Sequence, residues 1–161
     1  MSDLGSLPEF DSWGNLPPGI HSASLDEVER LFGKFQQTDR RLILFRQLKA
    51  YLREILLTEW DVDLILDGSF VMSRVDEPED IDAILVLPHD WDLSAELRPF
   101  EYNLLSRKRT RKTYGFDVFA VRRSSMEYNY WTEFFMQISP KWLNHFSMNI
   151  GARKGLIRIA P

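Results

Sequence analysis

Two hydrophobic patterns alternate along this chain: apolar residues at helical spacing, and unbroken β-branched runs bounded by turn residues. Ser24-x-x-Glu27 is a capping-box pattern that opens a short helix stopping near Gly33. Thr38 caps a longer helix whose apolar stripe is Leu42, Phe45, Leu48, Leu52 and Ile55. Val62 to Leu66 reads as a strand ending at Asp67-Gly68, Asp80 to Leu87 as a second strand with acids at its mouth, and Gly115 to Val121 as a third. Further helices are expected at Tyr102 to Ser106 after Pro99 and at roughly Ser125 to Gln137, and a closing strand at Gly155 to Ile159. Residues 1–23, with Pro8, Pro17, Pro18 and several glycines, read as an irregular lead-in strapped across the surface by Phe10, Trp13 and Leu16. Interleaved helices and strands predict an α/β (α+β) fold, with helices packed on a sheet and one domain over 24–161.

Composition narrows the class. At 161 residues, 44% hydrophobic and 13% aromatic, the chain is long enough to bury a core and too short for a catalytic domain plus a large substrate domain. Having no cysteine, it has no disulfides or cysteine-based zinc sites. With no apolar run of spanning length and no N-terminal signal, the expected location is the cytoplasm. A net charge of −4 argues against a broad polyanion-binding surface.

The chemistry concentrates between Leu66 and Pro88, where Gly68-Ser69 precedes Asp80-x-Asp82. Residues two apart on a strand share a face, so both carboxylates project together and need a counter-charge. Hard oxygen ligands suit Mg²⁺, which takes one or two carboxylates plus substrate phosphates. Gly68 lets the backbone approach a ligand, and Ser69 is placed to cap Phe70 to Arg74 with free N–H groups toward phosphate. Asp117 supplies a third acid inside an apolar strand; alone it reads as solvent-facing, and beside the other two it favours a site.

These residues resemble the motif of the polymerase-β-like nucleotidyltransferases. The flanks Leu16-Pro-Pro-Gly-Ile-His21, Ser24-Leu-Asp-Glu-Val28 and Lys154-Gly-Leu-Ile-Arg-Ile159 look like an uncharacterised family of stand-alone, minimal nucleotidyltransferase-like proteins. The resemblance implies a mixed sheet flanked by helices. It further implies Mg²⁺ (or Mn²⁺) on Asp80, Asp82 and Asp117 as the catalytic acids, and an NTP, ATP included, on Gly68 and Ser69. This chain departs from the pattern at Phe70-Val71-Met72-Ser73, where many active members carry small or basic residues, leaving Arg74 as the nearest cation for phosphate. The segment Val75-Asp76-Glu77-Pro78-Glu79 adds acids that attract metal and repel triphosphate.

Arg107, Lys108, Arg109, Arg111 and Lys112 form a basic cluster that reads as a solvated loop; the alternative is that it guides RNA or the triphosphate to the acids. Tyr128, Tyr130, Trp131, Phe134 and Phe135 read as packing, and Lys154 as a lysine beside a turn glycine, the alternative being a cation for the site. His21, His89 and His145 lack metal-ligand spacing, and there is no hydrolase elbow or Walker loop. Two function classes remain. One is a Mg-dependent nucleotidyltransferase moving an NMP to a hydroxyl of RNA, protein or a small molecule. The other is a non-catalytic protein of the same fold, serving as the regulatory or antitoxin-like half of a toxin–antitoxin or defence pair.

Overall fold

The computed structural model describes residues 6–161; the first five residues of the lead-in lie outside the described part. The strands are β1 (Gly19–Ser22), β2 (Asp63–Asp67), β3 (Asp82–Leu87), β4 (Asp117–Arg122) and β5 (Gly155–Ile159). The helices are α1 (Leu25–Phe32), α2 (Arg40–Thr58), α3 (Pro99–Leu105), α4 (Arg107–Tyr114), α5 (Met126–Met136) and α6 (Pro140–His145), with a 3-10 turn at Ser69–Val71.

The strands form one mixed sheet in the order β1-β5-β2-β3-β4. β2 runs antiparallel to both β3 and β5, whereas β3 pairs with β4 and β1 with β5 in parallel. Strand alternation divides the apolar residues between two faces. Leu64, Leu66, Ala83, Leu85, Leu87 and Val118 face the main core with α1 and α2. Ile65, Ile84, Val86 and Val121 face the other way, against Phe135 and Met136 of α5.

Local sequence explains most boundaries. Ser24 caps α1 by accepting the Glu27 N–H, and Gly33 ends it. α2 is preceded by Asp39 rather than capped directly by Thr38, although Thr38 Oγ1 accepts the Arg40 N–H at 3.2 Å. Its stripe buries Leu44, Phe45, Leu48, Tyr51, Leu52 and Ile55, with Leu42 only half-buried. Two expectations need correction. The lead-in is not irregular throughout, because Gly19 to Ser22 pair with Gly155 to Arg158 and Leu16 is fully buried in the core; Phe10 meets Phe32 edge-on. The basic cluster is not a loop: it is helix α4, capped by Ser106 and closed by Gly115 in a left-handed conformation.

One buried cation fixes the segment leading to the site. Arg41, fully buried in α2, donates to the carbonyl oxygens of Phe70 and Met72 (2.7 Å each), Val75 (2.8 and 3.0 Å) and Phe32 (3.1 Å). Its neighbour Arg40 holds the carbonyls of Pro78 and Glu79. The acidic loop between the Gly68 turn and β3 is therefore tied to the first turn of α2. Burial lowers the Arg41 guanidinium to about 10, and the carbonyl oxygens take the place of water around it.

Candidate functional site

Register brings the acids together. Asp67 at the end of β2 is the cross-strand partner of Asp82, which opens β3, and Asp82 is in turn the partner of Asp117 at the start of β4. By alternation all three side chains lie on the α5 face of the sheet. Asp80 lies two residues before Asp82, ahead of the strand rather than inside it.

The glycine turn packs on this rung. Gly68 has φ 77° and ψ −165°, and a Cβ there would lie 2.7 Å from Asp82 Oδ2. Only a residue without a side chain fits both the conformation and the space. Ser69 begins the 3-10 turn instead of capping a helix.

Electrostatics differ sharply among the acids. Asp67 is fully buried, and neither of its carboxylate oxygens has a hydrogen-bond partner. Burial first, then the charge of Asp82, pushes its carboxyl well above the usual range, with Lys154 opposing. Burial likewise raises Asp82 to about 6, aided by Asp80 and Asp117 and opposed by Arg111 and Lys154. Asp117 goes the other way: it is buried rather than solvent-facing, and hydrogen bonds from Arg111 hold its carboxyl below the ordinary value.

Arg111 Nε donates to Asp117 Oδ1 at 2.7 Å, and its Nη2 donates to Asp117 Oδ2 and to Asp80 Oδ2 at 2.9 Å each. Arg107 adds a bond to Asp117 Oδ2 at 3.2 Å. Of the basic cluster, then, Arg107 and Arg111 turn onto the acids, Arg109 bonds Asn103, and Lys108 and Lys112 are exposed. With the side chains so arranged, no group of three or more acidic or histidine residues is poised around a metal position among the described residues.

A cleft of about 450 Å³ opens beside the rung. Gly68, Ser69, Asp80 and Asp82 lie along it, together with Phe134 of α5, Lys141 and Trp142 of α6, and Lys154 just before β5. Lys154 is almost fully buried and donates to the carbonyls of Phe135 (2.6 Å) and Gln137 (3.0 Å). Burial lowers its ammonium to about 8, against the pull of Asp67 and Asp82. Lys154 is therefore not a lysine beside a turn: Gly155 opens β5, and Lys154 lines the cleft. Arg74, expected at the phosphates, is exposed, packs its stem against Gly14 and is not on the cleft wall. Phe135 packs in the core as expected, whereas Tyr130 and Phe134 are exposed and stack on each other.

Sequence reading passed over Asp67 as a member of the site, and offered Arg111 and Lys154 only as alternatives to a solvated loop and a lysine beside a turn. Asp67 faces Asp82 through a register that the long 68–81 connection does not dictate, whereas Ser106, Arg107, Arg111 and Gly115 do have the spacing of a capped helix with two cations one turn apart, a signal masked by the density of charge. Hard carboxylates suit a divalent cation, Asp82 directly and Asp80 and Asp117 on release of Arg111.

Among the described residues no helix is long and apolar enough to cross a membrane. No curated protein and no solved structure matches the chain. Residues 8–160 match one family model, described as a family of unknown function (DUF6932), and the chain belongs to that family.

Proposed function

We propose that this protein is a metal-dependent nucleotidyltransferase that moves a nucleoside monophosphate from an NTP to a hydroxyl acceptor on RNA, protein or a small molecule. The observation that carries the reading is the rung itself: Asp82 and Asp117 in register, with the Gly68-Ser69 turn packed against Asp82 at the mouth of a cleft. A glycine turn beside clustered acids combines close backbone approach to phosphate with a place for the metal that phosphate carries.

Asp80, Asp82 and Asp117 would hold Mg²⁺ once Arg111 leaves Asp80 and Asp117. Bound there, the metal would lower the pKa of an attacking hydroxyl and neutralise charge on the pyrophosphate leaving group. The chain's own groups supply the rest. Gly68 and Ser69 line the cleft where phosphate would lie, and Lys154, anchored on the Phe135 and Gln137 carbonyls, brings a positive charge to the same cleft. Phe134 and Trp142, which also line the cleft, offer aromatic faces for a base or an aromatic acceptor.

The test is incubation of the purified protein with each labelled NTP, Mg²⁺ and cell lysate. Label should pass to one acceptor class and be lost in Asp82→Asn, which keeps the shape and deletes a ligand charge. No transfer from any NTP, or undiminished transfer by Asp82→Asn, contradicts the reading.

A second reading is favoured by one observation: Asp80 and Asp117 are already neutralised by Arg111 and Arg107. On that reading the protein is a non-catalytic partner in a toxin–antitoxin or defence pair. It predicts stable co-purification with a partner, and no NTP turnover with or without that partner.

A further inference from the structure

Helix α4 carries five basic side chains, and two of them, Arg107 and Arg111, turn onto acids of the sheet. Arg111 is the more committed. One guanidinium engages both oxygens of Asp117 and one of Asp80, although about half of its side chain (53%) is open to solvent. A partly exposed arginine gains little from an ordinary surface pair, whereas a bidentate fork onto a buried carboxylate is among the strongest charge-assisted contacts. Arg107 stabilises the same acid less directly, with one bond at 3.2 Å and its guanidinium over the Phe119 ring at 4.7 Å.

We propose that Arg111 is a built-in counter-cation that bridges Asp80 and Asp117 until a divalent metal displaces it, so that the bridge and metal binding by these acids exclude each other. The inference rests on the reading of the cleft as a metal–nucleotide site. A metal takes carboxylate lone pairs at about 2.1 Å. Those of Asp80 Oδ2 and of both Asp117 oxygens point at guanidinium protons. A divalent ion and a guanidinium on the same oxygens would also repel each other. Because α4 is held by its Ser106 cap and its Gly115 end, the side chain can swing out while the helix stays in place. Arg111 is thus a positioning residue: it sets the resting charge and geometry of the acids.

The test uses Mn²⁺ alone, without nucleotide, titrated into the full chain and followed by the free-ion resonance signal and by calorimetry. Arg111→Ala should bind Mn²⁺ at least about tenfold more tightly than wild type, and Arg111→Lys, which keeps charge but loses the fork, should fall between them. Arg107→Ala should change affinity by less than about threefold. In chelator the Arg111→Ala protein should melt lower than wild type and recover with Mn²⁺. Equal or weaker binding by Arg111→Ala overturns the proposal while leaving a metal site in the cleft. Absence of Mn²⁺ binding in every variant overturns the metal reading and the proposal together. If Arg111→Ala does not fold, Arg111→Lys decides, and binding no tighter than wild type overturns the bridge.

Discussion

Asp67 and Asp82 are direct partners across β2 and β3, and no hydrogen-bond donor reaches either oxygen of Asp67. Two carboxyls sharing a buried rung cannot both ionise cheaply; charge at one discourages charge at the other. Lys154, just before β5, offsets part of this repulsion without bonding to Asp67. The arrangement favours whichever cation enters the cleft.

The first consequence is a pH dependence of stability. Asp82 is raised from 3.8 to about 6, chiefly by burial. Its folded pKa lies above its unfolded value, so the contribution is fully present below about pH 4 and is lost as pH rises through about 6. Asp82→Asn removes that loss. In metal-free buffer, the stability of the variant relative to wild type should rise between pH 4 and 6 by about 1–2 kcal/mol and then level off. Asp117 acts in the opposite sense: its contribution is present above its unfolded value and is lost as pH falls through its lowered pKa, below this window. Denaturation midpoints at half-unit intervals measure the difference, and a difference independent of pH contradicts it.

Gly68→Ala should cost about 1–3 kcal/mol, because the new Cβ meets both a strained backbone and Asp82 Oδ2. Urea denaturation reads the loss, and nucleotide affinity should fall with it. Wild-type stability in this variant would mean that the turn relaxes freely.

Arg41→Met should destabilise by about 3 kcal/mol or more, since four backbone carbonyls lose their buried donor. Arg41→Lys should recover only part of this, a single ammonium being unable to span them. Hydrogen exchange should locate the loosening in residues 70–79. An unchanged melting temperature would show that these carbonyls find other donors.

What was legible in the sequence follows from how strongly local forces act. β2, β3 and β5 are apolar and β-branched, and α1 carries its cap, acidic first turn and terminal glycine, so each was readable in isolation. β1 was not: Gly19-Ile20-His21-Ser22 behind two prolines has no strand character of its own and is extended because β5 pairs with it. Nor was α4, whose eight residues include five cations and bury only Thr110. Its charges looked solvated because their partners lie on other elements, Asp117 on β4 and Asp80 before β3. The glycine turn and Asp80, Asp82 and Asp117 were visible as motif residues, but Asp67, Arg111 and Lys154 join them through register and packing.

The basic helix also sorts its residues by role. Lys108 and Lys112 face solvent, and replacing both with Ala should change stability by less than about 0.5 kcal/mol. If RNA is the acceptor, that double variant should weaken RNA binding and flatten its salt dependence while metal affinity is unchanged. Retained binding and an unaltered salt slope would remove α4 from any RNA surface.

The most direct test is anomalous scattering from crystals grown with Mn²⁺ and a non-hydrolysable NTP. The account predicts a manganese peak within about 2.2 Å of carboxylate oxygens of Asp80 and Asp82, triphosphate density against Gly68 and Ser69, and Arg111 turned away from Asp80. A cleft without manganese under saturating conditions, with Arg111 still bridging Asp80 and Asp117, would contradict it.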